Sequence, residues 1–275
     1  MNKKKKVIGF IIYGLILALM LVGIILTYTG TKHGTIQEVM RDAVLHESNK
    51  VSFLGLIEVN LAFVSAVTVS AVLLVFALCV RIFVIPKFKY IPGKFQLLLE
   101  QWVGFFDNLA KSNSPHRNKF LGLYLFAAGS YIFVGTIFEL FGLQTITTHG
   151  VSMAMPAPLS DINAAISLGC LSYLVIMSGG FAENKLGGVA KTLKDFSLPI
   201  SMSFRLFGAL LSGLLVTELV YYSIQLSFVL PIVVAVLFTL IHALVQTYVL
   251  TMLTALFYGE VSEPHEKKAK KTKKA

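Results

Sequence analysis

The sequence predicts an all-α, polytopic membrane protein with five or six transmembrane helices, the last two long, tilted and antiparallel. Three observations carry that prediction. The chain is 56% hydrophobic and only 14% charged, with a mean hydropathy of +0.76, whereas soluble domains carry about 25% charged residues. Apolar runs of the length that crosses a bilayer, roughly twenty residues, recur at 7–28, 61–85, 120–143, 164–180, 199–224 and 228–258. Lysine and arginine concentrate in alternate connecting segments, as the positive-inside rule requires of cytoplasmic loops.

The first run follows MNKKKK, so residues 1–29 read as a signal anchor, with a cleaved signal peptide as the alternative. Cleavage would leave five spans, each keeping its orientation. Residues 30–60 then form an extracytoplasmic loop, 61–260 the membrane domain, and 261–275 a basic cytoplasmic tail. With both termini inside, nineteen of the twenty-four basic residues fall in inner segments: Lys3 to Lys6, six from Lys87 to Lys119, three from Lys185 to Lys194 and six from Lys267 onward. The outer segments hold only Lys32, Arg41 and Lys50. A net charge of +10 distributed this way belongs to membrane-adjacent segments and not to a nucleic-acid surface.

Between the second and third spans, Pro92 and Gly93 precede Phe95, Leu98, Leu99, Trp102, Phe105 and Phe106 at helical spacing. This predicts an amphipathic helix near 93–110 on the cytoplasmic interface, either anchoring to the bilayer or lining a partner subunit. Cys79 and Cys170 lie in separate apolar runs without a C-x-x-C partner, so they read as packing residues. No activated serine, paired aspartate or H-E-x-x-H motif marks an intramembrane enzyme.

The chemistry lies in the polar residues of the spans: Glu139 near the outer end of the third, Asp161 just before the fourth, Arg205 and Glu218 in the fifth, His242 and Gln246 in the sixth. Ionisable groups at membrane depth face protein or water, so each is a candidate. Asp161 also suits the cap of the helix that follows, with Asn163 competing for that place. Arg205 is the strongest, because arginine keeps its proton in proteins. Thirteen helical steps put Glu218 about 140° around the axis and about 20 Å along it from Arg205, so the two do not pair. A carboxylate toward the outside and a fixed cation deeper in fits a water-filled path ending at an electrostatic barrier. An antiparallel return would bring His242 to intermediate depth and Gln246 toward the level of Arg205.

DFSLPISMSFRLFGALLSG followed by HALVQTYVLTMLTALFYGE closely resembles the last two helices of subunit a of F-type ATP synthases. IPGKFQLLLEQWVGFF, FELFGL and PLSDINAAISLGC agree in order, so the resemblance covers about residues 87–260. It implies the stator half of a rotary ion channel, without a catalytic site or cofactor; the N-terminus, which reads as a bacterial signal or anchor, adds a bacterial inner membrane. Its partners would be a ring of c-subunits, the peripheral-stalk b-subunits and the remaining ATP synthase subunits. Arg205 would face a ring carboxylate between two aqueous half-channels carrying protons, or sodium, with Gln246 helping to orient it. The sequence departs from the family at Ala209, where asparagine is usual, and at Leu214, where bacterial members commonly carry an acid; Glu218 lies one turn further on. Glu139 occupies the place of a common asparagine. The segment 181–198 reads as a loop shorter than the family's. The alternative is a stand-alone secondary transporter or channel in which Arg205 binds an anionic substrate.

Overall fold

The computed structural model describes residues 50–263 apart from 54–56, 117, 147, 149–151 and 223–229. The first apolar run, most of the first outer loop and the basic tail lie outside the described residues. The chain divides into two compact units, residues 1–48 with 211–238, and residues 49–210 with 239–275. The buried core belongs to the second unit.

A short hairpin, β1 (Lys50–Phe53) with β2 (Ile57–Asn60), leads into α1 (Leu61–Cys79). The helix begins where an asparagine meets an apolar run: the Asn60 side chain accepts from the Ala62 N–H at 3.3 Å. It ends through a π turn (Val80–Val84) and a 3-10 turn (Ile85–Lys87) around Pro86. Proline would clash with the carbonyl four residues back, and a widened turn moves that carbonyl away. Only Leu61, Ala62, Ser65 and Val69 of α1 are buried, all in its first half.

The expected amphipathic helix is α2 (Lys94–Asn113). It packs along α3 (Asn118–Phe138) through Phe106 and Ala110, both fully buried. The Trp102 indole donates to Ser130 Oγ at 3.0 Å and packs edge-on against Phe106, with centroids 5.3 Å apart. The apolar face of α2 is thus only partly occupied within the chain: Phe106 is buried, whereas Phe95, Leu98 and Phe105 stay exposed.

A second hairpin, β3 (Gln144–Ile146) with β4 (Ser152–Ala154), connects α3 to a buried Pro158–Ser160 turn. Neither hairpin is apparent from hydropathy. From that turn starts α4 (Ile162–Lys194), joined to α3 by a 2.7 Å hydrogen bond between Tyr124 Oη and Ser172 Oγ.

The segment read as a loop at 181–198 is mostly helical. The chain reverses at Lys185, with φ 51° and ψ −133°, into a return arm, Gly187–Lys194. The arms touch backbone to backbone, since a Cβ at Gly188 would collide with the Gly180 carbonyl. Tyr173 Oη donates to the Thr192 carbonyl at 2.9 Å across the same contact. Two glycines thereby let a helical return replace an extended loop.

The last two helices are α5 (Ser197–Tyr222) and α6 (Leu230–Ser262). Pro199 lies in the first turn of α5, where its missing N–H costs nothing. The α4 return arm and the segment Ser197–Gly213 meet at 50°. Among the described residues four helices are long and apolar enough to cross a membrane, five when that bent pair counts as one span. The all-α, polytopic membrane class is therefore observed.

Candidate functional site

The placement of α5 starts at Gly169 on α4. A Cβ there would meet Ser203 Oγ and the Pro199 carbonyl, so only glycine lets α5 approach this closely. Met202, Leu206 and Leu210 bury one stripe of α5 at i, i+4 and i+8. Ser201, Phe204, Arg205 and Gly208 are left exposed on the other side. Arg205 is thus a permanent cation on the outer surface of an apolar helix, and no ion pair engages it among the described residues. Its neighbours Ser201 and Gly208 are small, and among the described residues nothing beyond the surrounding turns of α5 lies within 4 Å of a Cβ placed at Gly208. Small residues on a membrane helix admit close approach by another helix.

Gln246 of α6 is 5% exposed and donates through Nε2 to the Arg205 main-chain carbonyl at 3.4 Å. The two residues are level, as expected. The observed bond holds the backbone of Arg205 and leaves the guanidinium to face outward. His242 lies four residues earlier on the same side of α6 and is half-buried. Around these residues α6 exposes Ile241, Leu244, Val245 and Tyr248.

Asp161 caps α4, as one of its two expected roles required. Its Oδ1 accepts from the Asn163 N–H at 2.7 Å, and its Oδ2 accepts from Asn60 Nδ2 at 2.6 Å. Asn60 therefore serves two helices at once, capping α1 and holding the cap of α4. Sequence reasoning missed it, although an asparagine immediately before an apolar run is a helix-start signal. Glu139 opens the 3-10 turn (Glu139–Phe141) that closes α3 and is half-buried. Glu218 falls on α5, and its side chain lies outside the described residues. The structure thus joins Arg205 with Gln246, and among the described residues it joins Asp161 with Asn60 and with none of the other expected site residues.

A family model described as ATP synthase A chain matches residues 63–259, a stretch that contains α1 from Phe63 and every later element through Gly259 of α6. The matched segment holds both an exposed arginine on α5 and a buried glutamine level with it on α6, and the chain belongs to the ATP synthase subunit a family.

Proposed function

We propose that this chain is the ion-conducting stator of a rotary ATP synthase. It forms two aqueous half-channels against a ring of c-subunits, and ion flow through them drives rotation and ATP synthesis. The observation that carries the reading is Arg205, a full charge exposed on the apolar helix α5, which together with the α4 return arm makes up the bent candidate span. At the bilayer centre an arginine costs about 2.5–3.5 kcal/mol even on lenient insertion scales. A ring carboxylate offsets that cost. At about 4 Å and an effective dielectric of 20 the attraction is about 4 kcal/mol. The guanidinium favours the ionised carboxylate, so each passing ring site gives up its bound ion there. The same charge repels cations that would leak from one half-channel to the other.

Glu218, His242, Glu139 and Asp161 are assigned to the outer access path, and Gln246 to holding Arg205 in place. Asp161 also has its capping duty, so its part in the path is to keep the mouth of α4 in position. Whether the ion is a proton or sodium is set by the ring site, which belongs to another chain. The b-subunits of the peripheral stalk complete the partner set. The lysine distribution supports a cytoplasmic C-terminus, and the basic, then apolar N-terminal sequence supports a bacterial inner membrane.

The test is ATP-driven ion uptake in inverted vesicles carrying the complete complex, comparing Arg205→Ala with wild type at equal assembly. Uptake is expected to vanish while the complex stays intact. Undiminished uptake would sink the stator mechanism.

A further inference from the structure

The end of the second unit where the α2–α3 turn meets α4 and α6 contains an open cavity of about 480 Å³. His116 and Lys119 line it from the turn and the start of α3, Ser178 from α4 and Tyr258 from α6. Its volume is in the range that holds small ligands or headgroups. Among the described residues no carboxylate lines it. Lys119 is exposed and has no ion-pair partner among the described residues, whereas Lys111, two turns earlier in sequence, pairs with Asp107 at 2.5 Å. The lining thus carries one lysine and several hydrogen-bonding side chains.

The rim is different in kind. Phe120 lines the cavity at 55% exposure, and Leu123 beside it on α3 is 67% exposed. Both begin a helix apolar enough to span a membrane. A cationic recess opening directly onto bare aliphatic and aromatic surface matches an amphiphile, with a charged head inside and acyl chains along the helix. Free phosphate would use the recess and leave the rim unused.

We infer that this cavity binds the phosphodiester headgroup of an anionic phospholipid, with Lys119 and His116 on the phosphate and Phe120 and Leu123 against the acyl chains. Basic pockets between membrane helices recognise such headgroups, and each lysine near an anionic surface contributes enough for about fivefold in affinity.

The full chain, purified in uncharged detergent, would be titrated with phosphatidylglycerol, with phosphatidylcholine of equal chain length, and with inorganic phosphate. Thermal unfolding is followed by the fluorescence of Trp102, the single tryptophan. Phosphatidylglycerol is expected to raise the midpoint saturably and phosphatidylcholine is not. Lys119→Gln should require about fivefold more lipid while melting normally without it. Lys119→Arg should keep the response, and Lys111→Gln should leave it unchanged. Equal responses to the two lipids, an unaltered Lys119→Gln titration, or the same loss in Lys111→Gln would each overturn the site. A full response to inorganic phosphate would make it a free-anion site and overturn the lipid assignment.

Discussion

Gln246 holds Arg205 by its main chain, and that sets how the two residues should differ under mutation. The bond is long, 3.4 Å, and neutral, and such bonds contribute about 0.5–1.5 kcal/mol net. Gln246→Leu is therefore expected to slow ATP-driven ion uptake about two- to tenfold at equal assembly, where Arg205→Ala abolishes it. Equal losses in the two variants would show that Gln246 acts on the ion path itself and not through the position of Arg205. The arginine was legible because a charge that cannot be neutralised has few reasons to occupy an apolar run. The depth match with Gln246 was legible from helix geometry. The bond's acceptor was not, because side-chain spacing does not say which atom a glutamine amide will reach. Asn60 was missed for a related reason: its second partner is 101 residues away.

Among the elements, the hydropathy runs located the described membrane helices to within a few residues at most ends, and they failed where polarity and glycine imitated a loop. KLGGVAKTLK, from Lys185 to Lys194, lacks the apolar content of a span, yet it forms a helical arm stabilised by backbone contact at Gly180 and Gly188. The reversal is made by Lys185 in a conformation ordinarily left to glycine. Side-chain bearing residues held there cost of order 1–3 kcal/mol. Lys185→Gly is accordingly expected to raise the unfolding midpoint of the purified chain, by a margin reduced by glycine's greater freedom when unfolded. A fall in the midpoint would mean that the lysine side chain contributes more to the turn than its backbone costs. The two β-hairpins escaped notice because strands of three or four residues are too short to show alternation.

At the scale of the whole molecule, the proposed stator role requires a partner at the exposed cation and the apolar surface near it. The chain reconstituted alone into liposomes is expected to support no substrate-specific uptake, and ion pumping should need the assembled complex with ATP. Uptake of an anionic solute by the chain alone, abolished in Arg205→Ala, would favour the stand-alone transporter instead. Membrane class and family were readable because both are written in local residue patterns; the packing of α2 against α3 was not, since a face suited to a bilayer is equally suited to another helix. The way α1 is attached has a mechanical outcome. Its foot is tied through Asn60 to Asp161, its buried residues end at Val69, and Val80–Lys87 buries nothing. A helix clamped at its foot and little packed further along is expected to swing like a cantilever, with lateral excursions that grow toward its far end. Nitroxide labels at Val67 and Ile82, both on exposed sites, should give a restricted spectrum at the first and a narrower one at the second. Assembly with neighbouring subunits would then act as a damper, quieting the tip while leaving the clamped end as it was.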